Sequence, residues 1–202
     1  EAIDPVRYIS NHSSGKMGYA LAETIYMQGG NVTLVSGPVN LTLPFPDIQL
    51  LKVTTAAEMF DVVKEQYQQA DILIMCAAVT DYTPATKVNL KLKKTTNDFT
   101  LNLLKTKDIL GFLGANKTPE QLLVGFALET HDELAFAKQK LIAKNADMIV
   151  LNSLNDKEAA FGYDTNKVTI ISKQFGVQPL ELQTKKAVAA NIAANILKEK
   201  QA

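Results

Sequence analysis

The chain reads as an α/β fold, a three-layer Rossmann-like sandwich with a mostly parallel sheet and an inserted β-hairpin flap, on three observations. Helical and strand periodicities alternate along most of its 202 residues; the run Asp71–Val79 is nearly continuously apolar; and between Asn89 and Lys105 the apolar period drops to two. A continuous apolar run suits a parallel strand covered on both faces, whereas period two marks strands with one wet face.

The elements follow in order. Met17, Leu21 and Ile25 recur every four residues and Gly29-Gly30 follow, so the spacing predicts a helix over Met17–Gln28. Asn31–Gly37 is β-rich and ends at glycine, a short strand; a loop with Pro38, Pro44 and Pro46 leads to a second strand over Ile48–Val53. From Thr55, the residues Met59, Val62, Val63 and Tyr67 make one apolar helix face, with Thr54 or Thr55 as its cap. The Asp71–Val79 strand comes next, then the hairpin, in which Leu90/Leu92 and Phe99/Leu101/Leu103 flank the turn Thr95–Asp98. Alternation resumes with a strand at Leu122–Ala127, a helix over Asp132–Asn145 with Leu134, Ala137, Leu141 and Ile142 on one face, and a strand at Met148–Leu151. A second hairpin is predicted over Lys167–Leu182 and a closing helix over Lys185–Lys200, with Val188, Ile192 and Ile196 inward. No repeat or linker interrupts this order, so residues 1–202 are expected to form one domain. The chain opens in loop-like sequence before Pro5, where this class normally has a first strand and a glycine-rich turn; both are expected to be missing.

Composition narrows the function classes. With 47% hydrophobic and 21% charged residues the chain can bury a full core. Lys plus Arg and Asp plus Glu both total 21, which excludes a polybasic nucleic-acid arm or an acidic tail as its main purpose. No apolar run approaches the roughly 18–20 residues that span a bilayer, and no basic-then-apolar export signal opens the chain, so a soluble cytoplasmic protein is expected. The lone Cys76 and the two histidines, His12 and His131, cannot supply an internal disulfide or a multi-thiolate zinc site.

Two segments carry the chemistry. Asn11–Gly18 places small hydroxyls, an amide and two glycines ahead of a helix N-terminus, where backbone amides bind phosphate or carboxylate; the same residues also suit a plain helix start capped by Ser13 or Ser14. Cys76–Tyr82 lies at the carboxyl end of the most apolar strand, the edge at which ligands sit in open α/β sheets. There Ala77 and Ala78 leave room for a planar base, and Asp81 either accepts from a ribose, helps hold a metal ion, or caps the next turn. Cys76 ends an apolar strand with no evident activating base and reads as core. Lys87, Lys91, Lys93, Lys94, Lys105 and Lys107 bracket the hairpin, and Lys138, Lys140 and Lys144 lie along one helix. The i, i+4 spacing of Lys140 and Lys144 puts both ammoniums on one side, suited to gripping a phosphate chain. His12 reads as a hydrogen-bonding loop residue and His131 as part of a helix entry.

Asp4–Gly18, with its run Ser-Asn-His-Ser-Ser-Gly-Lys-Met-Gly, resembles the signature segment of the phosphopantothenoylcysteine synthetases, the ligases of the coenzyme A pathway. Cys76–Tyr82, Lys91–Lys94, Val124–Thr130 and Lys138–Asn145 resemble further blocks in that family's order. The resemblance implies a ligase that activates 4′-phosphopantothenate with CTP, as an acyl-cytidylate, and then joins it to L-cysteine with release of CMP, using Mg²⁺. It implies catalytic roles for Asn11 and for Lys91 on a mobile flap, and substrate contacts from Asn11, His12 and Ser13. Nucleotide contacts are implied for Ala77, Asp81, Lys91, Lys107, Asp108, Ile109, Phe126, Lys140 and Lys144. Here Thr106-Lys-Asp-Ile109 stands where many bacterial relatives have Asn-Pro-Asp-Ile. The resemblance further implies a homodimer, and fusion to or association with a flavin-dependent decarboxylase. Two other readings are a nucleotide-binding regulatory subunit without turnover and a dehydrogenase, the latter lacking GxGxxG.

Overall fold

The computed structural model describes residues 1–93, 99–153 and 163–201. Helix α1 (Lys16–Met27) leads to the short parallel pair β1 (Thr33–Ser36) and β2 (Gln49–Lys52). Helix α2 (Ala56–Gln66) follows, its start fixed by Thr55, whose hydroxyl accepts the Glu58 amide at 3.1 Å while the Glu58 carboxylate reaches back to the Thr54 amide at 2.7 Å. The exchange is a variant of the capping box in which the carboxylate takes the amide one residue before the cap. Strand β3 (Ile72–Met75) precedes a two-stranded antiparallel ribbon of β4 (Tyr82–Pro84) and β5 (Leu103–Lys105), and then α3 (Ile109–Asn116). Strand β6 (Leu122–Glu129), helix α4 (Glu133–Ala143) and strand β7 (Met148–Ser153) continue the alternation. The chain closes with β8 (Thr165–Asn166), β9 (Val168–Ser172), β10 (Gly176–Pro179), β11 (Gln183–Thr184) and α5 (Lys185–Gln201).

The central sheet is mixed and mostly parallel. Its order is β10-β9-β7-β6-β3, in which β3, β6 and β7 run parallel and the second hairpin adds β9 and β10 antiparallel at one edge. Strand alternation divides the core into two layers. Leu122, Val124, Met148, Val150, Val168 and Ile170 face α1 and α5, meeting Leu21, Val188, Ile192 and Ile196. Leu123, Ala127, Ile149, Leu151 and Ile171 face α2, α3 and α4, meeting Met59, Leu113 and Leu141. Truncating a fully buried member such as Leu123 to alanine costs about 2–5 kcal/mol. No described helix is long and apolar enough to cross a membrane.

Four local expectations need correction. The flap strand β5 pairs with Tyr82–Pro84, not with the segment around Leu90 and Leu92. Backbone donors of that segment are already used by the opening loop: Val88 N–H donates to the Ile3 carbonyl at 3.3 Å and Leu92 N–H to Asp4 at 3.2 Å. The predicted turn Thr95–Asp98 lies outside the described residues, as does Lys94. On α4, Ala137 and Leu141 are buried but Leu134 is exposed and Ile142 is 78% exposed. One residue step turns a helix by about 100°, so only one of the adjacent pair Leu141-Ile142 can face the sheet. Neither Ser13 nor Ser14 caps α1; Gly15 does so with φ 76°, a left-handed conformation suited to glycine. Helix α3, finally, was not predicted, because Gly111 and Gly114 weaken its helical signal. Gly114 is demanded by packing: a Cβ there would sit 1.8 Å from the Lys144 carbonyl oxygen at the end of α4.

Candidate functional site at the carboxyl edge of the sheet

Strands β3 and β6 are neighbours and parallel, so their carboxyl ends open onto one edge. After β3 the chain passes through Cys76, Ala77 and Ala78. Burial pushes the Cys76 thiol up to about 12, so it is no nucleophile at neutral pH. Ala77 and Ala78 are exposed, and the Asn11 side-chain amide donates to the Ala78 carbonyl, joining the segment before α1 to this edge. Thr106 fastens the next stretch: its amide donates to the Asp81 carbonyl at 2.9 Å and its hydroxyl to the Thr80 carbonyl at 2.6 Å. The Asp81 carboxylate is thereby held within electrostatic reach of Lys140.

From α4, Lys140 Nζ donates to the Phe126 carbonyl on β6 at 2.8 Å. Burial pushes this half-buried ammonium below its ordinary pKa, and Lys144 adds to the depression; Glu129, Asp81 and Asp108 oppose it. Lys144 Nζ lies 2.5 Å from Asp108 Oδ2. Asp108 Oδ1 meanwhile caps α3 by accepting the Gly111 amide at 2.9 Å. Partial burial pushes the Asp108 carboxyl up, but Lys144 and the Gly111 amide outweigh it and leave it below the ordinary value. Beside these groups an open cleft of about 440 Å³ is lined by Glu129, His131, Phe136, Gln139, Lys140, Ala143 and Lys144. Two lysines over a cleft at the carboxyl edge suit an anion with several oxygens.

The sequence-predicted residues divide. Asp81, Asp108 and Lys144 gather around the Lys140 ammonium, and Asn11 and Ala77 stand at the same strand end; Phe126 offers Lys140 only its carbonyl, its ring packing on the other sheet face with the α1 and α5 layer. Lys107 turns instead to α2, with Nζ 3.3 Å from Asp61 and 4.3 Å above the Phe60 ring. Ile109 is buried in the core beside Leu113, so its side chain is packing. Lys91 is exposed and makes no described contact with the Lys140 cluster; its neighbour Leu92 accepts from the Arg7 guanidinium at 3.1 Å. His12 and Ser13 are exposed, and the Ser13 hydroxyl accepts the Gly15 amide at 3.4 Å.

Two residues that shape this region escaped the sequence reading. Asp4, buried, accepts from the Val6, Arg7 and Leu92 amides and from the Arg7 guanidinium, which holds it well below the usual carboxylate range. This clamp ties the loop before Asn11 to the segment carrying Lys91. Glu129 lines the cleft from the end of β6. Both stand within blocks already quoted for the resemblance, but neither belongs to a pattern that names its partner.

Residues 1–200 match the family described as DNA/pantothenate metabolism flavoprotein C-terminal domain. The chain belongs to that family. A curated protein of Bacillus subtilis, the coenzyme A biosynthesis bifunctional protein CoaBC, is 46% identical over 97% of this chain and 48% of its own length. A cysteine/cysteine sulfinic acid decarboxylase from an unknown prokaryotic organism is 50% identical over 98% of this chain and 55% of its own length. The chain thus spans about half the length of these curated relatives. Among solved structures, the crystal structure of a CoaBC C-terminal domain superposes with a TM-score of 0.81 at 41% identity, covering 97% of this chain and 88% of that one. A Cab2 mutant in complex with phosphopantothenate-cysteine shares the fold, with a TM-score of 0.75 at 18% identity over 98% of this chain and 83% of that one.

Proposed function

We propose that the chain is the ligase that joins 4′-phosphopantothenate to L-cysteine in coenzyme A biosynthesis, using CTP. The observation that carries this reading is the convergence, around the Lys140 ammonium, of Asp81, Asp108, Lys144 and the Phe126 carbonyl from separate blocks of the sequence. Coenzyme A biosynthesis is also the role in the name of the CoaBC relatives. A carboxylate is a poor electrophile, so the substrate carboxylate first attacks the α-phosphorus of CTP, forming an acyl-cytidylate and expelling pyrophosphate. The cysteine amine then attacks the acyl carbon, loses a proton, and expels CMP to leave the amide.

In this reading Lys140 and Lys144 offset charge on the departing pyrophosphate. Asp81 accepts from the ribose, Ala77 and Phe126 border the base, and Asp108 holds Lys144 in place. Asn11, with its amide fixed on the Ala78 carbonyl, holds the phosphopantothenate part and the acyl-cytidylate, flanked by His12 and Ser13. Lys91 and, from the α2 side, Lys107 approach as the flap closes over the mixed anhydride and excludes water. Among the described residues no group of three or more His, Cys, Asp and Glu side chains could hold a metal. Mg²⁺ needs only one or two protein carboxylates beside nucleotide phosphates; Asp81 would be the candidate to help hold it, and the ion would supply neutralisation of phosphate charge. The working form is a cytoplasmic homodimer, fused to or associated with a flavin-dependent decarboxylase.

The test is pyrophosphate release with 4′-phosphopantothenate and each of CTP, ATP, GTP and UTP, with and without cysteine, alongside CO₂ release from cysteine. Release that requires CTP and phosphopantothenate, with amide formation only when cysteine is added, supports the ligase; Asn11→Asp and Lys91→Gln variants should each lose at least tenfold in rate. CTP binding without turnover would instead make the chain a nucleotide-binding regulatory subunit, and CO₂ release alone would favour the activity named for the decarboxylase relative.

A further inference from the structure

We propose that Glu129 is a positioning residue for Lys140: from the end of β6 its carboxylate faces the same cleft, balances the half-buried ammonium and keeps it ready to meet a phosphate. The inference rests on the ligase reading for its ligand and deepens it by one residue. Glu129 and Lys140 line one cleft, and among the described residues the Glu129 carboxylate has neither a hydrogen bond nor an ion pair. Lys140 makes one described hydrogen bond, to the Phe126 carbonyl, which fixes the direction of its ammonium but supplies no counter-charge.

The other charged groups around Lys140 cannot take this role alone. Asp108 is engaged by Lys144 at 2.5 Å and by the Gly111 amide. Lys144, on the same helix, repels the Lys140 charge. Asp81, from the loop after β3, is exposed and contributes less than Glu129. His131, also lining the cleft, hydrogen-bonds to Thr130 and meets the Phe136 ring edge-on. Burial depresses the Lys140 pKa and Glu129 is the largest opposing influence. A lysine that sheds its proton cannot donate all three N–H groups to an anionic oxygen. Glu129, though anionic itself, therefore favours anion binding at its neighbour, and its own repulsion directs the phosphates to the lysine side of the cleft.

The test is calorimetric binding of inorganic tripolyphosphate, and separately of CTP, from about pH 7 to about pH 10. It uses the wild-type protein, Glu129→Gln, Glu129→Asp, His131→Gln and the double variant Glu129→Gln with Lys140→Arg. Glu129→Gln should move the alkaline loss of affinity towards neutrality by about one pH unit. Glu129→Asp should keep the wild-type profile, and so should His131→Gln on its alkaline side. Arginine stays charged throughout, so the double variant should regain binding at high pH although Lys144 is still a lysine. An unchanged profile in Glu129→Gln, or a pH-independent loss that Lys140→Arg leaves unrepaired, overturns the proposal. Tripolyphosphate needs no turnover. If it follows this pattern while CTP and phosphopantothenate yield no pyrophosphate, the ligase reading fails and the role of Glu129 stands; if pyrophosphate forms and the profile is unchanged, the reverse holds.

Discussion

The two ends of the sheet carry the same side-chain chemistry and use it differently. At the amino end, Asp147, just before β7, accepts Lys117 Nζ at 2.7 and 2.9 Å, the Leu123 amide at 2.7 Å and Lys173 Nζ at 3.4 Å. Lys117 is only 10% exposed along its side chain and also donates to the Gln121 carbonyl. At the carboxyl end Lys140 makes one described hydrogen bond, Glu129 makes none, and both face an open cleft. Charges that satisfy one another lock β6 to β7; charges with bonding capacity left over are available to a ligand. The density of lysine and aspartate is therefore a poor guide to a site, and their degree of saturation is a better one.

The sharpest way to break this contrast is Asp147→Ala. It leaves the buried Lys117 ammonium without its partner and removes an acceptor from the Leu123 amide, so stability should fall by about 3–5 kcal/mol in urea unfolding. CTP affinity of the folded protein should stay within about twofold, because Asp147 does not line the cleft. A loss below about 1 kcal/mol would make this network no more than a surface ion pair.

Gly114→Ala joins the two ends of the argument. A Cβ 1.8 Å from the Lys144 carbonyl must push α3 from the end of α4, costing about 1–3 kcal/mol. Asp108 at the head of α3 and Lys144 move with those helices, so this variant should weaken CTP binding as well as stability, unlike Asp147→Ala. The opposite partition is expected for Lys140→Ala: a stability change under about 1 kcal/mol and a loss of tenfold or more in CTP affinity, the worth of a charged hydrogen bond.

The same distinction explains what could be read from sequence. Periodicity found α1, α2, α4, α5 and the parallel strands because burying one stripe or face is a local demand, visible in Met17/Leu21 or in Val188/Ile192/Ile196. It missed α3, whose glycines are imposed by a contact with Lys144 thirty residues on, and it misplaced the partner of β5, since register depends on which donors the opening loop has already taken. In the site, the spacing of Lys140 and Lys144 was legible. The use of Lys107 on Asp61 and Phe60 of α2, the burial of Ile109 and the exposure of Glu129 to the cleft were not, because each depends on which helix packs nearby.

The smallest effect concerns Asp108, which serves both as a cap and as the partner of Lys144. Its carboxyl is held below its ordinary value of 3.8, so its folded form binds a proton less readily than its unfolded form. The stability this contributes is complete above the unfolded pKa and is lost as pH falls through the lower folded one. Asn keeps the capping oxygen for the Gly111 amide but carries no charge, so Asp108→Asn removes the ion pair and spares the cap. Since the pair is partly exposed, the variant should lose less than about 1 kcal/mol at neutral pH. Its urea midpoint should also fall less steeply than the wild type's between about pH 5 and about pH 2. Parallel acid slopes for the two proteins would mean that Lys144 adds nothing to folding, leaving this ion pair wholly available for exchange with a nucleotide phosphate.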